Sequence, residues 1–504
     1  MATRRGFLRA AAVGGALAGM GDLAFLKNLR PVRADEAKLD PNKVRLSSDI
    51  EPLVRLLEET PRNRVIEAFA NEIRRGTSYQ QILAALLLAG VRNVQPRPSV
   101  GFKFHCVLVV NSAHLASLAS PDQDRWLPIF WSLDYFKSAQ ASDEREGDWT
   151  MAPVDEARVP PAHRARQALV EALEQWDEAA ADVAVAGMVR NATAGELFEV
   201  FARYGARDYR SIGHKAIFVA NGFRTLQCIG WRHAEPVLRS LAYALLNHTN
   251  EPNPAQSDLA PDRPYRHNLE RIRRIRADWR DGKPDSGATR QLLATLRTGS
   301  SDDVCELIVE MLNRGVAPRS IYDALFLGAG ELLARQPGIV SLHAATTTNA
   351  IHYAYQTVTD DETRRLLLLQ NAAFLPMFLQ SMRSRGQVRD VQLDTWQPEV
   401  EAPQDPHQIF QLVGPRTSEA SAQMFRFLER GGDPQQLLDV ARRLIFLKGN
   451  DSHDYKFSSA VFEDYHAVSP EWRNRFLATS VYRLRGALEP DNSLVARTRA
   501  ALET

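Results

Sequence analysis

Cysteine is scarce in this chain of 504 residues: only Cys106, Cys228 and Cys305. An odd number at wide spacing, with no C-x-x-C, argues against a disulfide framework or a zinc knuckle. The three read as small buried hydrophobes. Missing as well are a G-x-G-x-x-G opening a βαβ unit, a P-loop, a C-x-x-C-H haem attachment and an H-E-x-x-H helix. Excess charge of one sign is lacking too. With 62 Lys and Arg against 61 Asp and Glu, the net charge is +1, so there is no electrostatic footprint for nucleic acid. No segment beyond the N-terminus has 18 uninterrupted apolar residues, which leaves no membrane span in the mature chain. Strand signals are few. The β-branched run Val107–Val110 lies inside a longer helical register.

What is present begins at the N-terminus. Thr3-Arg4-Arg5-Gly6-Phe7-Leu8-Arg9 resembles a twin-arginine export signal. An Ala- and Gly-rich apolar stretch follows from Ala10 to Met20, and Val32-Arg33-Ala34 offers a small-x-small cleavage site. Residues 1–34 are therefore expected to be a signal peptide, and the protein to be exported to the periplasm or beyond. Its first partner would be the twin-arginine machinery. Removing that segment leaves 56 basic and 60 acidic side chains, a net charge of −4. Proteins that look like this at the N-terminus often acquire a cofactor before crossing the membrane folded.

Self-similarity at a fixed offset is the signature of an internal repeat. Arg75-Gly76 matches Arg314-Gly315, and Ile82 to Gly90 matches Ile321 to Gly330, at offsets of 239 or 240. Glu67 matches Glu306 at 239. Asn111-x-x-His114 matches Asn349-x-x-His352 at 238, and Leu197-Phe198-Glu199-Val200 matches Leu437-Leu438-Asp439-Val440 at 240. The pattern predicts an all-α fold of about fifteen helices, internally duplicated into two halves and four quarters about a pseudo-twofold axis. The expected organisation after residue 34 is a first helical half over 35–250, a linker with a charged helix over 251–300, a second half over 301–490 and a tail over 491–504.

Local signals support helices throughout. Arg62–Arg75 is amphipathic and stops at Gly76; Ser78 can cap the next helix. Asp122–Phe136 reads as a helix whose Pro128 predicts a kink or a late start. Pro318 and Pro434 sit where a first helical turn tolerates proline. Ala141–Pro161, Glu251–Arg266 and Asp394–Gln408 read as loops. Asn268–Lys283 carries five arginines interleaved with Glu270 and Asp278, the pattern of a solvated helix rather than a basic patch.

Histidine is the residue with chemical content. His105, His214, His343 and His453 fill one repeat column, once per quarter; His114 and His352 fill a second, replaced by Phe223 and Phe462 in the other two quarters. Imidazole ligates zinc, copper and iron, and helix bundles build metal sites from inward-facing side chains. His105 and His114 lie nine residues apart, half a turn out of phase at about 100° per residue, so one straight helix cannot aim both at one ion. Three readings stay open. The first column converges on a metal, with carboxylates from Glu67 and Glu306; or the histidines are acid/base groups around an organic substrate; or each ties helices together and was merely copied. Lys215, Asp451 and Asp454 beside the column read as helix-end charge, and Trp126, Trp131, Tyr353 and Tyr355 as core aromatics.

Leu342-His343-Ala344-Ala345-Thr346-Thr347-Thr348-Asn349-Ala350-Ile351-His352, with its partner from Phe104-His105 to His114, resembles the questin oxidase-like proteins. The resemblance covers the histidine helices and the repeat. It implies oxidoreductase chemistry carried by the six repeat histidines; the histidine spacing and the export signal depart from that family. The resulting expectation is an exported, metal-dependent oxidoreductase acting on a small molecule. Its transition metal (iron, copper, manganese or zinc) would be held by His105, His214, His343 and His453. His114, His352, Asn111 and Asn349 would be the catalytic groups. The rival is a non-catalytic helical-repeat binding or scaffold protein.

Overall fold

The first half of the chain already shows why helix wins here. Ser78 caps Tyr79–Asn93 through a capping box with Gln81, and Thr193 does the same for Ala194–Gly205 with Glu196. Pro318 and Pro434 each open a helix, where the missing N–H is no loss. Gly76, at φ +92°, takes the left-handed conformation that ends Val65–Arg74. The structure is a computed structural model that describes residues 42–96, 102–246 and 252–503. From Val44 onward these form one unit. The signal-like segment 1–34 lies outside the described residues. Among the described residues there are 22 α-helices and, in place of strands, one isolated bridge between Lys283 and Val316. None of these helices is long and apolar enough to cross a membrane.

Four helices occupy the centre: α1 (His105–Leu118), α2 (His214–Ile229), α3 (Ile339–Thr357) and α4 (Ser452–Ala467). They pack in a closed ring, α1 on α2, α2 on α3, α3 on α4 and α4 on α1. Their side chains are buried almost all round, as required of helices with no solvent face. Outer helices cover them. Leu127–Glu146 lies on α1, Ala194–Gly205 on α2, Asp361–Arg383 on α3 and Pro434–Lys448 on α4.

Several local expectations change. Asp122–Phe136 is a 3-10 turn at Asp122–Asp124 followed by a helix that starts at Leu127, so Pro128 marks a late start rather than a kink. That helix continues to Glu146, into the stretch read as a linker. Asn268–Lys283 is the end of a short helix, Arg263–Arg271, followed by two 3-10 turns. Its arginines are paired within the protein: Arg271 with Asp302 and Glu306, Arg274 with Glu306, Arg273 with Glu270 and Arg276 with Asp278. The segment 491–504 holds a helix, Ser493–Glu503, which returns to Val65–Arg74 through Arg497–Glu67 at 2.6 Å. The helix count exceeds fifteen because short helices separated by a few turn residues merge in a periodicity reading.

Candidate metal centre

The four histidines of the first column meet. Their nearest ligand atoms all lie within 4.8 Å of one another. The rings follow the order of the helices: centroids are 5.0 Å apart for His105 and His214, 4.2 Å for His214 and His343, 5.1 Å for His343 and His453, and 4.8 Å for His453 and His105. Exposure runs from 1% to 6%, so the protein rather than bulk water sets their protonation.

Each ring arrives near the N-terminal end of its helix. His105 and His214 are the first residues of α1 and α2, His453 is the second of α4 and His343 the fifth of α3. The central bundle therefore runs parallel, with four helix N-termini at the histidine layer. Lys103, just ahead of His105, pins the start of α1 to Asp143 at 2.8 Å and Glu146 at 2.7 Å.

The start of α2 is set by a strained turn. Ser211, Ile212 and Gly213 have φ of 56°, 47° and 82°, one left-handed turn that β-branched Ile212 adopts only when its surroundings impose it. Two buried ion pairs supply that restraint. Lys215 meets Asp208 at 2.7 Å, and Arg210 pairs with Asp262. A side chain at Gly213 would run into Thr347 of α3. The turn aims the Ser211 carbonyl at His214 Nδ1, 2.6 Å away.

The outward-facing nitrogens settle the tautomers. His214 Nδ1 donates to the Ser211 carbonyl and His343 Nδ1 donates to the Ile339 carbonyl at 2.7 Å. A carbonyl only accepts, so both Nδ1 atoms carry the proton. In a neutral ring Nε2 is then a bare lone pair. Those two Nε2 atoms are 2.9 Å apart, and His214 Nε2 is 3.2 Å from His105 Nε2. Burial, with the charge of Lys456 and the neighbouring rings adding to it, pushes the basicity of His105 well below the ordinary histidine value. Burial does the same at His343, where His214 and Lys456 contribute. Facing lone pairs at that distance repel unless a proton or a metal cation sits between them.

His453 has a carboxylate behind it. Its Nδ1 donates to Asp451 Oδ1 at 2.6 Å, and Asp451 also caps α4 by accepting from the His453 N–H at 2.8 Å. Burial alone would raise the Asp451 carboxyl; hydrogen bonds and charge from His453 outweigh it and hold the group below the usual carboxylate range. A carboxylate–imidazole pair of this kind orients a ligand and raises its basicity. Asp451→Ala is expected to weaken metal binding 10- to 100-fold, read by competitive metal titration. Asp451→Asn keeps a cap and should lose less.

The remaining sequence-derived candidates do not join the ring. Glu67 faces Arg497, and Glu306 faces Arg271 and Arg274, both on the outside. The carboxylates expected at the metal are absent from it, because a matching offset in the sequence does not fix the direction a side chain faces. His114 and His352 lie nine residues further along α1 and α3, roughly 13 Å at 1.5 Å per residue. His114 is held between Tyr79 Oη at 3.0 Å and Cys228 Sγ at 3.2 Å. Cys228 is thus half-buried beside an imidazole, whereas Cys106 and Cys305 are buried as expected. His352 sits in an aromatic nest with ring centroids at 4.5 Å from Tyr322 and 5.0 Å from Phe326. Asn111 contacts Asn221 at 3.5 Å, and Asn349 donates to Asp464 at 2.8 Å and Glu463 at 2.9 Å. A cavity of about 240 Å³ borders this end, lined by Leu115, Ser459, Phe462 and Glu463, among others. It adjoins the far halves of α1 and α4, away from the four-histidine layer. Lys215 is a buried ion-pair partner rather than helix-end charge, and Asp454 caps α4 and pairs with Arg485 at 2.6 Å.

No protein family, curated protein or solved structure matches the chain.

Proposed function

We propose that the chain is an exported, metal-dependent oxidoreductase in which His105, His214, His343 and His453 hold one transition-metal ion. The observation that carries the metal is the pair of facing Nε2 lone pairs of His214 and His343 at 2.9 Å, each fixed by a carbonyl behind it. Metal–imidazole bonds of about 2.0–2.1 Å set adjacent ligand nitrogens roughly 2.9–3.4 Å apart, close to the two separations found. An all-nitrogen neutral set suits copper, iron or zinc and leaves manganese, which prefers oxygen ligands, the least suited of the four. The oxidoreductase class rests on the resemblance of the histidine helices to questin oxidase-like proteins. Export rests on the twin-arginine-like segment 3–9, and crossing in the folded state accords with an ion buried inside a closed bundle. The offsets of 238–240, with one ring histidine on each inner helix, support descent from a duplicated unit.

The near-complete burial of the rings favours a second reading, a closed structural site that staples four helices of a non-catalytic scaffold. Elemental analysis of protein purified without added metal tests the first step. About one equivalent of iron, copper, manganese or zinc is expected; less than about a tenth overturns the centre, since structural sites of this size bind tightly. Exposing the loaded protein to reductant and then dioxygen separates the readings. An ion that changes oxidation state reversibly supports the oxidoreductase. A redox-inert ion supports the scaffold.

A further inference from the structure

Lys456 is unexplained by the centre as described. It is 3% exposed, and its Nζ has no hydrogen-bond partner. It stands three residues after His453 on α4, hence on the same helix face, and its charge acts on His105, His343 and His453 alike. A buried amine without a partner is costly to charge, and a native protein that keeps one needs a reason.

The charge around the ring supplies that reason. Four neutral imidazoles leave a divalent ion uncompensated. Four helix N-termini converge on the same layer, each adding roughly half a positive charge. Asp451 contributes one negative charge from behind His453, and Lys456, when protonated, adds a positive one. The site is thus overcharged by at least two units once an ion enters, in a medium where such an excess is poorly screened. We infer that the centre binds a small anion on its metal, with Lys456 as the cation that receives it; hydroxide is the anion always at hand, and any ligand with a compact anionic oxygen or nitrogen belongs to the same class. The inference rests on the metal reading. It adds what the ion would hold besides the four imidazoles and which side chain of the protein would meet it. Burial lowers the basicity of Lys456 to about 7, against the opposing charge of Asp451. A bound anion reverses that tendency by giving the ammonium a partner.

The test uses the copper-loaded full chain and azide as the probe, followed by the azide-to-copper charge-transfer absorption. Wild type should bind one azide per copper. Lys456→Met, which keeps the length of the side chain, should retain full copper content and bind azide at least tenfold more weakly. Lys456→Gln should fall between. Unchanged azide affinity in a copper-replete Lys456→Met protein overturns the inference, as does copper-loaded wild type that binds no azide. Loss of copper from both variants while they remain folded by circular dichroism also overturns it, because Lys456 would then be a ligand itself. Wild type that takes up no metal removes the metal reading and this one with it, an outcome distinct from the others because it shows before azide is added.

Discussion

His214→Ala is expected to cost the protein at least a hundredfold in metal affinity and to cut the effect of chelators on its stability to about a third. His214 is the ring member whose Nε2 contacts two others, His105 at 3.2 Å and His343 at 2.9 Å. Binding by four protein ligands in a closed site is worth about 10–16 kcal/mol, so one ligand in four carries roughly 3 kcal/mol. Metal at a thousandfold excess over its dissociation constant stabilises the folded state by about 4 kcal/mol. Wild type should therefore unfold at a clearly lower temperature in a chelator than with metal, and His214→Ala, with metal only about tenfold over its weakened dissociation constant, should keep about 1.4 kcal/mol of that difference or less. Metal content by elemental analysis and paired thermal scans check this. A His214→Ala protein with wild-type metal content and wild-type chelator sensitivity would place the ion elsewhere. His352→Phe is the matched control, since His352 lies at the far end of α3 and should leave the metal untouched.

The histidine layer was legible in the sequence because His105 and His343 lie 238 residues apart and His214 and His453 lie 239 apart. Four histidines at equivalent positions arrive at the same height in four parallel helices, and the half-turn between His105 and His114 correctly separates two environments on α1. The carboxylates were not legible. Glu67 sits on Val65–Arg74, whose buried face is formed by Val65, Ile66, Phe69 and Ala70, which turns Glu67 outward to Arg497. Asp451 stood in view beside His453, but one side chain capping a helix and holding that helix's own histidine is a geometric fact that spacing leaves open. The left-handed turn at Ser211–Gly213 was hidden for a different reason. Serine and isoleucine do not signal positive φ, and the turn exists because Asp208, Lys215, Arg210 and Asp262 close around it. Lys456 was equally silent. A lysine near the start of a helix reads as surface charge, and only the packing of neighbouring helices against α4 turns it into a buried, unpartnered amine.

His352 gives the second large effect, this time in stability. Burial, with the charge of Arg224 adding to it, lowers its pKa from 6.5 to about 4. Above pH 6.5 the residue is neutral in the folded and unfolded chain, and its protonation contributes nothing. Between pH 6.5 and about 4 the unfolded chain takes up a proton that the folded chain refuses, so stability falls by up to about 1.4 kcal/mol per pH unit. Below about 4 the folded state is protonated too, and no further loss follows. The full window removes roughly 3 kcal/mol, a large part of the stability of an ordinary domain. His352→Phe removes the titrating group and places an aromatic ring among Tyr322, Phe326 and Tyr355. Denaturant unfolding at pH 7 and pH 4.5 should show the variant gaining on wild type by about 2 to 3 kcal/mol between the two. A constant difference would mean that His352 takes up its proton in the fold at the same pH as in the unfolded chain, and the burial argument would fail.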